Sequence, residues 1–344
     1  MVICMEHIYG YTTEMLKDYL LSNSEKPFRS NQLIEWLYRH KITSFSEITN
    51  MKKEFIAKLE NDFVIDNLEL VTKQESFDGT IKFLFRLADF NLIETVLMKH
   101  DYGYSVCVTT QVGCNMGCAF CASGMKKKLR NLETYELVLQ ILMVEKLQNI
   151  KVSHVVVMGI GEPFDNYDNV LNFLKIINYP LGLEIGSRHI TVSTCGLVDK
   201  IYTYADFDLQ VNLAISLHAP NDKLRDELMP INKAYPLKEL VKAIEYYIEK
   251  TNRRVTIEYI LLKDVNDTYK HANELADLLH GLNVYINLIP YNEVKEKPYK
   301  RSTKDAMHAF YDQLKKRSLN VTLRREQGSD IDAACGQLRS KHIK

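Results

Sequence analysis

From about residue 104 onward, short apolar runs alternate with amphipathic stretches. The apolar runs lie at about 104–112, 153–159, 188–194, 211–217, 254–262 and 284–290. Between them, Leu137, Ile141 and Val144, then Val170, Leu174 and Ile177, then Leu237, Val241, Ile244 and Ile248 recur at helical spacing. Such stripes mark helices with one face on a sheet. A last helix carrying Met307, Phe310 and Leu314 leads to a strand at about 321–326. Strand and helix in alternation give parallel strands joined by right-handed crossovers. Six such units make an α/β fold, a partial (β/α)6 barrel left open where further strands would close it. In such barrels ligands collect at the C-terminal ends of the strands.

The loop after the first of these strands reads Cys114-Asn-Met-Gly-Cys118-Ala-Phe-Cys121. Three thiolates on one loop can bind three irons of a cubane cluster and leave the fourth iron open. A closed cluster or a structural zinc site takes four ligands, and no second C-x2-C follows. Three unrelated cysteines, or zinc completed by a distant residue, are the alternatives. Other suggestive segments fall at the same rim. Gly159-Ile-Gly161-Glu162-Pro163 follows the second strand, Ser193 ends the third, and Ser216-Leu217-His218 ends the fourth. Asn292 follows the sixth, and the stretch from Gly328 to Cys335 follows the last. Taken singly, Ser193 and Ser216 also suit strand caps, His218 a structural histidine and Glu258 a barrel-interior contact. Cys4 and Cys195 read as incidental, and Cys107 and Cys335, each alone, as small buried hydrophobes.

The rest of the chain bounds the setting. Residues 1–65 read as a helical accessory module, with helices beginning near Thr12, Ser30 and Asn50. It is either a packing module or an RNA-docking domain using Lys26, Arg29, Arg39, His40, Lys41, Lys52 and Lys53. Residues 66–103 alternate with period two and carry turns at Asp78-Gly79 and Asp89-Phe-Asn91, the pattern of an antiparallel meander extending the barrel. Residues 104–344 form the catalytic part. The 44 basic residues equal the 44 acidic ones, so any nucleic-acid contact must come from local patches. Candidate patches are Lys126–Arg130, Lys295–Arg301, Arg324-Arg325 and Arg339–Lys344. Tyr102, Tyr104, Tyr291 and Tyr299 offer stacking or plain packing. Seven cysteines without a secretory leader or a long apolar run suggest thiol chemistry in the cytoplasm and no membrane span.

The C-x3-C-x2-C spacing resembles that of radical S-adenosylmethionine (SAM) enzymes. Gln111-Val-Gly-Cys114, Met158-Gly-Ile-Gly-Glu-Pro163, Ser216-Leu-His-Ala-Pro-Asn221, Met229-Pro-Ile-Asn232, Asn287-Leu-Ile-Pro-Tyr-Asn292 and Asp330-Ile-Asp-Ala-Ala-Cys-Gly-Gln-Leu338 together resemble the RlmN family of adenine methyltransferases. The resemblance implies a [4Fe-4S] cluster on Cys114, Cys118 and Cys121. It implies SAM contacts at Gly161, Glu162, Ser193, Ser216, Leu217, His218 and Asn292, with two SAM used per turnover. Its substrates would be carbon 2 of one adenine in 23S rRNA and of the adenosine 3′ of the anticodon in tRNAs. Cys335 would carry the methyl as S-methylcysteine, Cys107 would resolve the protein–RNA adduct through a disulfide, and Glu94 would accept the ring proton. An external reductant such as flavodoxin and a monomeric state are the matching expectations. Related Cfr enzymes act at carbon 8 and tend to lack the proline that stands here as Pro163. A non-catalytic iron–sulfur RNA-binding protein is the remaining alternative.

Overall fold

A computed structural model describes residues 5–325, 327–328, 330–332 and 336–342. Among them, ten strands form one sheet, ordered spatially as in sequence. Strands β1 (Glu69–Glu75), β2 (Ile81–Arg86), β3 (Leu92–His100) and β4 (Gly103–Cys107) are an antiparallel meander. From β4 onward every neighbour is parallel: β5 (His154–Val157), β6 (Ile190–Thr194), β7 (Asn212–Ser216), β8 (Val255–Leu261), β9 (Val284–Pro290) and β10 (Val321–Leu323). The expected partial barrel with a meander extension is therefore present. β4 is the seam, with its antiparallel partner on one side and its parallel partner on the other.

The alternation in β8 shows how the barrel is filled. Val255, Ile257, Tyr259 and Leu261 are fully buried, and the Tyr259 ring stacks on Phe310 of the outer helix α10 (Lys304–Lys316). Thr256, Glu258 and Ile260 take the opposite, inward face, as period two requires. Helix α4 (Thr134–Gln148) is apolar nearly all round, because it lies between the sheet and the N-terminal module. Glu133 and Glu136 form a capping box at its start, and Asn149 ends it in the left-handed region.

The module contributes α1 (Thr13–Ser22), α2 (Arg29–Ile34) and α3 (Lys53–Asp62). Leu16, Leu20 and Leu33 share one apolar core with Val155 and Ile215 of the sheet. Some boundaries differ from expectation. The third helix starts at Lys53 rather than Asn50. Glu6–His7 pairs in parallel with Phe63–Val64, an extended ladder inside a region that reads as helical. The first barrel strand stops at Cys107, and Gln111–Val112 turns to pair with Arg130–Asn131. The last strand ends at Leu323 rather than near 326. No helix of the described residues is long and apolar enough to cross a membrane.

Candidate active site

Pairing of Gln111–Val112 with Arg130–Asn131 closes the base of the cysteine loop. Within it, Cys114 N–H donates to the Lys126 carbonyl at 3.1 Å and Cys121 N–H to the Cys118 carbonyl at 3.2 Å. Burial pushes the Cys114 thiol up to about 11, and the nearby Cys121 adds to the rise. Burial raises Cys118 further, with added repulsion from Cys121 and Cys114. Three thiols in one another's field resist ionising together until a cation joins them. Among the described residues no set of His, Cys, Asp or Glu converges to hold a single metal ion. Cys114, Cys118 and Cys121, all free and half-buried on one loop, would serve as the three protein ligands of a cubane cluster.

The ends of β5, β6 and β7 build the adjoining rim. Gly161 has φ +112°, and a Cβ there would lie 2.7 Å from Gln111 Cβ and Thr110 Oγ1, so a side chain is excluded. Glu162 is buried and accepts from Cys195 N–H at 2.8 Å and Phe164 N–H at 3.0 Å. Burial raises its pKa against these bonds. Glu162 thus ties the loop after β5 to the end of β6. Ser193 and Ser216 come together, Oγ to Oγ at 3.3 Å. Leu217 is fully buried and offers only its backbone, its carbonyl accepting from Arg225 Nε. His218 adopts φ +57°, and its Nδ1 accepts from Ile260 N–H at 3.1 Å. Burial holds its pKa down at about 3, with Arg225 contributing, so the ring is neutral and carries its proton on Nε2.

Arg225, which the motif reading did not single out, explains why these strand ends are rigid. Its guanidinium is fully buried and donates to the carbonyls of Cys195 at 2.7 Å and Leu217 at 3.2 Å and to Asn232 Oδ1 at 3.0 Å. It therefore staples the ends of β6 and β7 to the Met229-Pro-Ile-Asn232 segment. A lone arginine among polar residues carries no sequence signal for this role.

Next to this rim lies a cavity of about 270 Å³, whose walls include Cys107, Cys121, Asn292, Arg324 and Lys82. It brings Cys107, at the end of β4, together with a cluster-loop cysteine and with Asn292. Burial pushes the Cys107 thiol up to about 11, partly offset by Arg324. The Glu258 carboxylate, on the inward face of β8, accepts from Asn287 Nδ2 at 2.8 Å. Burial raises Glu258 to about 6, against the pull of Arg324. The described cysteines are free thiols, and Cys335 lies outside the described residues, as does Cys4.

The residues flanking Cys335 are tied to the meander. Asp330 accepts from Ser76 and from Phe77 N–H, Asp332 from Gln74 Nε2 at 2.9 Å, and Asp78 from Gly328 N–H at 2.7 Å. Glu94 is buried, facing Gly336 and Arg339. Leu338 packs on Leu84 and Leu92. The meander thus closes the open side of the barrel by gripping the C-terminal segment.

Several cations considered for RNA contact are engaged within the fold. Arg39 donates to the Pro180 carbonyl at 2.9 Å, and Lys41 pairs with the buried Glu145 at 2.9 Å, so both join the module to the barrel. Arg29 pairs with Glu25, Lys128 with Asp165, Arg130 with Glu136 and Asp89, and Lys300 with Glu293. Lys26, Lys52 and Lys53 are exposed. Tyr291 is buried and donates to the Phe120 carbonyl, whereas Tyr102 is exposed.

Comparison with known proteins agrees with this geometry. The family model of the radical SAM superfamily matches residues 108–279. That of the ribosomal RNA large subunit methyltransferase N-terminal domain matches residues 7–65. The superfamily implies a [4Fe-4S] cluster and SAM. A protein of Enterococcus faecalis described as a probable dual-specificity RNA methyltransferase RlmN is 57% identical over 347 residues, covering 98% of this chain and 97% of its own. One of Acholeplasma laidlawii with the same description is 55% identical over 336 residues, covering 98% and 99%. The crystal structure of a radical SAM methyltransferase from Sphaerobacter thermophilus aligns with TM-score 0.89 at 40% identity, covering 96% of this chain and 98% of that one. By full-length identity and by fold, this chain belongs to the RlmN family of radical SAM RNA methyltransferases.

Proposed function

We propose that the chain methylates carbon 2 of one adenine in 23S rRNA and of the adenosine 3′ of the anticodon in tRNAs, through a methyl group carried on Cys335. The observation that carries this reading is the shared cavity of Cys107 and Cys121. A thiol outside the cysteine triplet, held beside it, has no use in plain electron transfer. The dual specificity in the relatives' description supports two RNA substrates. Pro163 after Gly161-Glu162 favours carbon 2 over carbon 8.

Carbon 2 lies between two ring nitrogens and is electron-poor, so it does not attack a methyl donor as a nucleophile would. The cluster on Cys114, Cys118 and Cys121 and the bound SAM supply hydrogen-atom abstraction and the methyl group. The protein's own groups do the rest. Ser193, Ser216 and His218, at strand ends stapled by Glu162 and Arg225, would orient SAM together with Asn292. Cys335 links to carbon 2 through the methylene. A base then removes the ring proton, and the unpaired electron of the adduct has to leave as well, for which the cluster on Cys114, Cys118 and Cys121 would be the acceptor. Cys107 forms an S–S bond with Cys335, the Cys335 S–C bond breaks, and its electron pair stays on the methylene carbon, which takes a proton to become methyl. The disulfide is reopened by an external reductant. At about 11 the Cys107 thiol is protonated at neutral pH, so resolution needs its proton removed locally. The target adenine must leave its stack to reach this cavity.

Nucleoside mass spectrometry of rRNA and tRNA from cells with and without the gene tests the reading. Loss of 2-methyladenosine is expected, and retention of it, or loss of only the 8-methyl isomer, refutes it. Cys107→Ala is expected to accumulate a protein–RNA adduct through Cys335, and normal turnover by that variant would remove Cys107 from the scheme.

A further inference from the structure

Glu94 and Lys82 occupy adjacent strands of the meander under the C-terminal segment. Glu94 Oε1 accepts from Arg339 N–H at 2.6 Å. Glu94 Oε2 accepts from Gly336 N–H at 2.7 Å and lies 3.0 Å from Lys82 Nζ. Both side chains are buried, Lys82 completely. The Lys82 ammonium also donates to the Asp332 carbonyl. Both Glu94 oxygens thus accept from donors, two of them peptide N–H groups. Taking a proton from an RNA base would cancel the Glu94 charge, and with it the ion pair to Lys82 and the charge-assisted strength of both peptide bonds that hold this segment.

The pair holds two residues that flank Cys335 in sequence: Asp332, three positions before it, and Gly336, directly after it. Gly336 is also pinned from the opposite side. Its φ is +87°, and a Cβ there would lie 3.0 Å from Ser123 N and Oγ. Ser123 is two residues beyond Cys121. Gly336 therefore sits between the Glu94 carboxylate and the cluster loop. Lys82 in turn lines the cavity that holds Cys107 and Cys121.

We propose that Lys82 and Glu94 are positioning residues that clamp the Cys335 segment against the cluster loop, and that Glu94 is not the base that removes the ring proton. The proposal rests on the reading of Cys335 as the methyl carrier, and it makes different predictions from a base role. A base variant still loads Cys335 and still forms the RNA adduct, and then stalls. A clamp variant fails earlier, because the thiol is no longer held where it is loaded and activated.

The test uses the anaerobically reconstituted full-length enzyme with Glu94→Gln and Lys82→Met. Three quantities are read: amide hydrogen exchange across 336–342, methyl-Cys335 by peptide mass, and RNA product and adduct. Exchange at Gly336 and Arg339 is expected to rise about tenfold or more in both variants. Methyl-Cys335 and product are expected to fall together, with no adduct accumulating and with iron content unchanged. Gly336→Ala disturbs the same flank from the cluster-loop side and is expected to give the same pattern, which keeps the test open should the buried pair not tolerate substitution. Wild-type exchange with full methyl-Cys335 and an accumulating adduct in Glu94→Gln would overturn the clamp and make Glu94 the base. Normal turnover by Lys82→Met would overturn it too. Absence of methyl-Cys335 from the wild-type enzyme would instead sink the carrier reading, while exchange at 336 and 339 still reports on the clamp.

Discussion

The two sides of the active-site mouth are held by different means. On the parallel side, Gly161, Ser193 and Ser216 are delivered by the register of β5, β6 and β7, each strand hydrogen-bonded to its neighbour. Glu162 and Arg225 then tie the strand ends together. On the meander side only β4 brings a strand end, Cys107, to the mouth. The rest of the contribution comes from side chains that cross to a segment far away in sequence: Glu94 and Gly336 are 242 positions apart. A backbone ladder spreads its load over many bonds, whereas a clamp of a few side chains concentrates it. Single substitutions on the meander side should therefore disturb chemistry more than stability, and those on the parallel side the reverse.

Cluster-loop substitutions stand outside this contrast and give the largest effect. Cys118→Ala should leave the fold intact yet remove iron binding and bring RNA methylation to background, read by iron and sulfide analysis with product formation. A variant that keeps full iron and activity would break the ligand assignment. Gly336→Ala sharpens the contrast directly. Forcing a Cβ onto φ +87° beside Ser123 costs about 1–3 kcal/mol locally, so turnover should fall about 10- to 100-fold with iron content and melting temperature little changed. An unfolded Gly336→Ala protein would show that the C-terminal segment is part of the core instead. Glu162→Gln probes the parallel side. One of two backbone donors loses a charged acceptor, a loss of about 1.5–3 kcal/mol, so the melting temperature should drop by a few degrees while the KM for SAM rises no more than about tenfold. Loss of all turnover without a change in melting temperature would erase the distinction between the two sides.

Glu258→Gln gives the smallest effect and tests the barrel interior by pH. The folded-state pKa of about 6 lies above the ordinary 4.5, so folding favours protonated Glu258. That stability is fully present below pH 4.5 and is lost as pH rises through 6. Above that pH the wild type forgoes up to about 2 kcal/mol, which glutamine, resembling the protonated acid, restores. The variant should melt higher than wild type at pH 7.5 and equally at pH 4.5. A gap that does not change with pH would show that Glu258 is not titrating there.

Much of the parallel side was legible in advance because its signals are local. The helical stripes of α4 and of α8 (Leu237–Thr251) follow from side chains three and four positions apart. The cysteine spacing acts within one loop, and the rim segments follow strand ends by connectivity. The errors lay where local pattern is weak. The first strand reads as continuous to residue 112, yet it breaks after Cys107 because Gln111–Val112 finds a different partner in Arg130–Asn131. Arg39 and Lys41 read as open between RNA contact and packing, and acceptors on the barrel, Pro180 and Glu145, take them up.

Sequence alone determined the class of fold and the family and singled out the triplet of candidate ligands, because periodicity, spacing and motif survive in one dimension. Tertiary structure decided what Lys82, Arg225, Glu94 and Gly336 do. Lys82 in Thr80-Ile-Lys-Phe sits in an alternating strand pattern, and Arg225 belongs to no motif; each is fully buried in the fold. A charge takes its role from what covers it, and here the cover is chain that lies distant in sequence and near in space.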